Sequence, residues 1–173
     1  MIIDISKLLI TRNKKDTFNC SIEADSITIK HNSFPIKNNK PFELSIVNEE
    51  NKRLNLSLAT TVVVTVPCDR CLTDCDITFD ISIDNTIDIK DGRLVSVDDD
   101  ISFIEDDEIL VDNLLFDEIL VDWPSKVLCK EDCKGICPKC GTNLNISSCD
   151  CDLREIDPRM ARFQDVFKEF KEV

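Results

Sequence analysis

The residues in this chain with the clearest capacity for chemistry are its ten cysteines, eight of which stand in four short-range pairs: Cys68 with Cys71, Cys129 with Cys133, Cys137 with Cys140, and Cys149 with Cys151. A two-residue gap, as in Cys68-Asp69-Arg70-Cys71 and Cys137-Pro138-Lys139-Cys140, lets both thiolates close on one ion, and Gly141 relieves the turn that wraps it. Zinc is the natural fit, because it takes four soft ligands in a tetrahedron and makes no demand on the neighbouring aspartates. Four pairs are enough for two closed sites. One partition joins Cys137, Cys140, Cys149 and Cys151 as a local knuckle and lets Cys129 and Cys133 reach back to Cys68 and Cys71, clipping the C-terminal lobe onto what precedes it. Spacing also permits Cys129, Cys133, Cys137 and Cys140 to share one ion. A thiol-redox role fits less well, since a closed four-thiolate site leaves no open position, and iron-sulfur ligation is a minor alternative. Cys20 and Cys75 are left over, and Cys20 falls on an inward strand face, where a buried thiol is expected.

Enzymatic alternatives have little to stand on. The single histidine, His31, sits beside Asn32 in a polar turn, tyrosine is absent, and the three glycines, Gly92, Gly135 and Gly141, form no phosphate-binding loop. The usual acid, base and nucleophile constellations cannot be assembled from such a set, so no catalytic residue and no small-molecule substrate are expected.

The elements that must position the cysteines follow from periodicity. Alternation at Phe18, Cys20, Ile22 and Ala24, at Phe42, Leu44 and Ile46, at Leu54, Leu56 and Leu58, and at Ile77, Phe79, Ile81 and Ile83 predicts strands. The β-branched run Val62–Val66 predicts a buried strand that Pro67 ends, delivering the chain to Cys68. Residues 98–108 read as an exposed acidic loop around a short apolar anchor of Ile101, Phe103 and Ile104. Near 112–122 the spacing becomes helical, with Asp112 or Asn113 available as cap and Trp123-Pro124 as the stop. The stretch from Cys129 to Cys151 holds too many breakers for a regular element, so something other than backbone hydrogen bonds must organise it. Asp157-Pro158 followed by Met160, Phe163, Phe167 and Phe170 predicts an amphipathic terminal helix. No internal repeat is apparent. The expected architecture is α+β: a mainly antiparallel β domain over 1–124 with a helix near 112–122, then a small zinc-binding lobe and terminal helix over 125–173.

With 173 residues the chain is long enough to bury a core without disulfides. No apolar run approaches the length that spans a bilayer, and the first ten residues carry Asp4 and lack a basic leader, so a cytosolic address is expected, where clustered cysteines bind metal rather than oxidise. The net charge of −13 is unevenly spread: residues 54–125 carry 3 basic and 18 acidic side chains, whereas residues 126–173 carry 9 of each. The acidic middle repels phosphate and suits a basic protein partner, so any RNA contact falls to the ends of the chain. In the metal lobe Lys130, Lys134 and Lys139, with Lys126 nearby, stand on short loops where lysines and backbone amides can meet phosphates.

Residues 128–145, Leu-Cys-Lys-Glu-Asp-Cys-Lys-Gly-Ile-Cys-Pro-Lys-Cys-Gly-Thr-Asn-Leu-Asn, are preceded by Pro67-Cys68-Asp69-Arg70-Cys71-Leu72 and by Trp123-Pro124, and are followed by Cys149-Asp150-Cys151 and Asp157-Pro158-Arg159. This combination resembles the YceD family of large-subunit ribosomal RNA accumulation proteins, end to end, with the C-terminal run the most specific part. The resemblance implies a bacterial cytoplasmic protein required for synthesis, processing or stability of 23S ribosomal RNA, with no established catalytic activity, and so ribosomal RNA or large-subunit assembly intermediates as partners. The acidic middle adds a basic ribosomal protein as a candidate partner. The alternative is a zinc-ribbon adaptor or regulator that contacts only proteins.

Overall fold

In the computed structural model, residues 1–37, 40–90, 93–95 and 102–151 are described. Two compact units form, one from Met1–Pro67 with Asp74–Val127, the other from Cys68–Thr73 with the chain from Leu128 onward. Among the described residues no helix is long and apolar enough to cross a membrane.

The first unit is mostly antiparallel strands with two helices. Strand β1 (Ile2–Asp4) and helix α1 (Ser6–Ile10) precede β2 (Lys15–Cys20), β3 (Ser26–Ile29), β4 (Asn32–Pro35), β5 (Phe42–Glu49), β6 (Arg53–Pro67), β7 (Asp74–Lys90), β8 (Arg93–Val95), β9 (Ile104–Glu105), β10 (Glu108–Leu110) and α2 (Val111–Val121). The main sheet has the order β2-β5-β6-β7-β8, β3 and β4 form a separate hairpin, and β1-β10-β9 make a third small sheet. The axis of the main sheet is the long β6–β7 hairpin, in register from Arg53↔Asp88 to Pro67↔Asp74. Leu54, Leu56, Leu58, Val62, Val64 and Val66 of β6 all turn into the core, against Phe79, Ile81, Ile83 and Ile87 of β7. The alternation in sequence is the alternation of the pleat, since successive side chains point to opposite faces.

Several expectations are corrected. Strand β2 stops at Cys20, so Ile22 is buried in the connection that follows it. Residues 104–110 are two short paired strands rather than a loop, with Phe103 buried beside them; residues 98–101 lie outside the described residues. Helix α2 begins at Val111 without a side-chain cap. Asp112 is instead drawn to the Met1 ammonium at 3.1 Å and accepts the Glu23 N–H at 3.2 Å. The expected terminal helix from Asp157 to Phe170 lies outside the described residues.

Asn48 continues the inward phase of β5 and is fully buried. Its amide nitrogen donates to the Leu8 carbonyl at 2.6 Å and to Asn51 Oδ1 at 3.1 Å, while its own oxygen accepts the Asn51 N–H at 2.9 Å. A buried carboxamide is tolerated because both ends are satisfied, and it ties the end of α1 to the sheet.

Candidate metal centres

Both cysteine groups lie in the second unit. Cys68, Cys71, Cys129 and Cys133 bring four sulfurs within 4.8 Å of one another, and so do Cys137, Cys140, Cys149 and Cys151. Sulfur separations of 3.8 Å for Cys68 to Cys133 and 3.5 Å for Cys71 to Cys129 are far beyond a disulfide bond. They match the edge of a tetrahedron of thiolates at a zinc–sulfur distance of about 2.3 Å, which is roughly 3.8 Å. With no carboxylate or histidine in either group, the donor set is the soft one that suits a structural zinc-type ion.

The two CxxC turns are built alike. Cys68 N–H donates to the Thr73 carbonyl at 2.9 Å and Cys137 N–H to the Thr142 carbonyl at 2.8 Å; Leu72 N–H and Gly141 N–H return to the Cys68 and Cys137 carbonyls, each at 2.9 Å. Thr73 Oγ1 lies 3.3 Å from Cys71 Sγ, and Thr142 Oγ1 lies 3.1 Å from Cys140 Sγ. This is an internal repeat that sequence reading missed, and its signal is Cys-x-x-Cys-x-Thr, twice. The repeat is masked because the residue after the second cysteine is glycine in one turn and leucine in the other. Both adopt the left-handed conformation, φ 71° at Gly141 and 59° at Leu72, which a leucine adopts only under constraint.

Further residues position the ligands without belonging to them. The Arg70 guanidinium donates to the Cys133 carbonyl at 2.9 Å, and the Asn145 amide donates to Cys133 Sγ at 3.3 Å. Ile136 N–H reaches the Arg70 carbonyl at 3.1 Å. Gly135, at φ 78°, passes so close that a Cβ there would stand 3.0 Å from that same carbonyl oxygen. Of the lysines singled out in the sequence, Lys130, Lys134 and Lys139 are all exposed, and Lys130 Nζ lies 3.8 Å from Asp132. An open groove of about 400 Å³ beside Cys149 is lined by Lys134, Asn145, Ile146, Ser147 and Ser148. Cys20 is buried, its thiol 3.6 Å from the Phe18 carbonyl, and Cys75 packs half-buried against the core of the first unit.

Comparison with known proteins gives these centres a family. The profile described as large ribosomal RNA subunit accumulation protein YceD matches residues 56–167, more than half of the chain and all eight clustered cysteines. The chain belongs to the YceD family. A Bacillus subtilis protein described as uncharacterized protein YlbN is 28% identical over 127 residues, covering 69% of this chain and 70% of its own length. No solved structure matches the chain.

In this YceD chain the thiols of each centre divide into ready and reluctant ligands. Burial opposes ionisation of Cys68, but the amides of Arg70, Cys129 and Cys71 outweigh it and lower the thiol to about 6. The Thr73 hydroxyl lowers Cys71, and the Thr142 hydroxyl lowers Cys140 to about 6. Hydrogen bonding to Cys71 raises Cys129 to about 12, and hydrogen bonding to Cys140 raises Cys151 to about 12. At Cys149 the Cys151 amide favours the thiolate, but the sulfur of Cys137 and burial prevail and raise it. Four thiolates cannot share such a space without a cation to neutralise them. Loading the metal-free protein with a divalent ion at pH 7.5 is therefore expected to expel the protons of Cys129, Cys149 and Cys151, at least about three per chain. Affinity should already fall as pH drops around 7.5, and fall more steeply below about 6, where protons reclaim Cys68 and Cys140 as well. Calorimetry in buffers of different ionisation heat measures the release, and a proton count near zero would show that these thiols do not bind the ion.

Proposed function

We propose that this protein is a non-catalytic ribosome biogenesis factor of the bacterial cytoplasm that supports synthesis, processing or stability of 23S ribosomal RNA, with zinc held in both cysteine centres. The observation that carries this reading is the family match over residues 56–167, whose family is described by large-subunit ribosomal RNA accumulation. The zinc acts structurally, holding the loops that display Lys130, Lys134 and Lys139, while the groove beside Cys149 adds hydroxyls and an exposed isoleucine next to Lys134. Cations for phosphate and hydroxyls for phosphate or ribose suit an RNA backbone contact, and an exposed apolar side chain can pack against the face of an unstacked base. Large-subunit assembly intermediates and a basic ribosomal protein are the partners that follow. Depleting the protein in cells and resolving subunits on a gradient tests the reading. Mature 23S RNA and large subunits are expected to fall relative to small ones, and an unchanged ratio overturns it. Retention of all partners after ribonuclease treatment would favour the protein-only adaptor.

A further inference from the structure

We propose that the outer edge of β7, residues 74–87, is a docking edge for an extended polypeptide segment carrying Lys or Arg at alternate positions. This goes beyond the ribosomal reading, which names no surface for a protein partner, and it holds whether or not that partner belongs to the ribosome.

Among the described residues β7 pairs with β6 along its whole length on one side, but on the other side it meets β8 only over Asp88–Lys90. The phase of the ladder shows which groups the open edge presents. Lys37 N–H takes the Val63 carbonyl at 2.9 Å from the far side of β6, and Ile89 N–H takes the Lys52 carbonyl at 2.7 Å. Pro67, which has no N–H to give, stands opposite Asp74. In an antiparallel ladder residues alternate between exchanging both bonds with the neighbour and pointing both away. Even-numbered residues of β6 therefore bond to odd-numbered residues of β7. The N–H and C=O groups of Asp76, Thr78, Asp80, Ser82, Asp84 and Thr86 point to the edge that, among the described residues, no strand covers.

The side chains of those same six residues are all exposed, on the face of the sheet away from the core. Every residue that offers main-chain bonds thus also offers a carboxylate or a hydroxyl. Residues directly opposite in a bonded antiparallel pair carry their side chains on the same face, close enough for opposite charges to stabilise the pair. A strand added here would set its alternate residues against this row, every second one of them directly opposite Asp76, Asp80 or Asp84 and the others diagonal to these carboxylates. The protein itself supplies one example of the pairing chemistry: Lys37 Nζ meets both oxygens of Asp76, at 2.7 and 2.9 Å, and Thr65 Oγ1 donates to the same carboxylate at 2.8 Å.

Charge excludes other occupants. An RNA backbone would meet a row of carboxylates. A second copy of β7 would bring two rows of aspartates onto one face, with like charges directly opposite or diagonal to one another, an arrangement by which edge strands avoid pairing with themselves. The chain's own segment from Asp157 onward carries apolar residues at helical rather than alternating spacing. Addition of a basic strand satisfies both the main-chain groups and the charges.

The test uses the full chain, zinc-loaded and labelled with nitrogen-15, with a synthetic twelve-residue peptide of alternating lysine and threonine as the probe. Shifts and slowed hydrogen exchange are expected at the even-numbered amides from 76 to 86. An Asp80→Asn/Asp84→Asn variant with an otherwise unchanged amide spectrum should bind at least tenfold more weakly. Methylating the backbone nitrogens of the probe's lysines keeps the charges but removes the main-chain bonds, and should also cost at least tenfold. Equal binding of the methylated peptide, shifts elsewhere, or no binding would overturn the proposal. So would protection of these amides in the free protein, since the edge would then be covered by the chain itself or by a second copy.

Discussion

Changing Cys137 and Cys140 together to serine is expected to lower the zinc content from about two ions per chain to about one and to unfold residues 135–149 while leaving the first unit folded. The reason is that, among the described residues, the second unit has almost no core apart from its clustered cysteines. Among the described residues its buried apolar side chains are Cys68, Cys71, Cys133 and Cys137, all of them members of the two metal groups. Its regular backbone pairing, among the described residues, is a single isolated bridge, Ile136↔Asn143. A structural zinc contributes on the order of 10 kcal/mol or more to a small domain near neutral pH, and nothing else in these loops approaches that. The first unit draws its stability from the leucine, isoleucine and valine faces of β5, β6 and β7 and does not need the ion. Hydrogen exchange gives the readout: the amides of Leu144 and Gly141, which bond to the Gly135 and Cys137 carbonyls at 2.9 Å, should lose protection, whereas those of β5 to β7 should keep it. Equal loss across residues 42–87 would show that the two units fold as one.

The β-rich half was legible because most of its buried positions alternate along the strands. Leu54, Leu56 and Leu58 lie in register with Ile87, Asn85 and Ile83, so the pleat is written directly in residue type for most of the hairpin. What escaped sequence reading is what breaks that code. Asn48 occupies an inward position with a polar side chain, and its bonds to Asn51 and to the carbonyl of Leu8, forty residues away in the chain, explain why it can stay there. Helix α1, with five residues, is too short to declare a period, and β9 and β10 hide in acidic sequence because so few of their side chains are buried. At the two cysteine groups the short-range pairs were readable from spacing. The matching of Leu72 to Gly141 was not, because a leucine held at positive φ carries no sequence signal of its own. The grouping of Cys68 and Cys71 with Cys129 and Cys133 depends on three-dimensional proximity that spacing left open between two partitions.

Reversing Lys130, Lys134 and Lys139 to glutamate is expected to weaken RNA association by at least about a hundredfold at near-physiological salt, if these lysines make the phosphate contacts. Each phosphate contact contributes through release of a condensed counterion, about fivefold in affinity per contact under those conditions, and three compound multiplicatively. The rest of the molecule offers little compensation, since the chain as a whole carries a net charge of −13. All three side chains are exposed, and what Lys134 gives its surroundings is a backbone N–H to Asn145 Oδ1 at 2.9 Å, which a glutamate at that position would still supply. The ion pair of Lys130 with Asp132, at 3.8 Å and open to solvent, is of the kind whose loss costs little. The variant should therefore fold and keep both zinc ions, which elemental analysis checks, so that a change in function reports on the contact and not on the lobe. RNA crosslinking and the ratio of large to small subunits, measured in the same cells, should fall together. Normal values for both in a zinc-loaded variant would remove the cysteine lobe as the RNA-contacting surface. The preferred reading would then move to a basic protein partner held by the carboxylate-lined sheet.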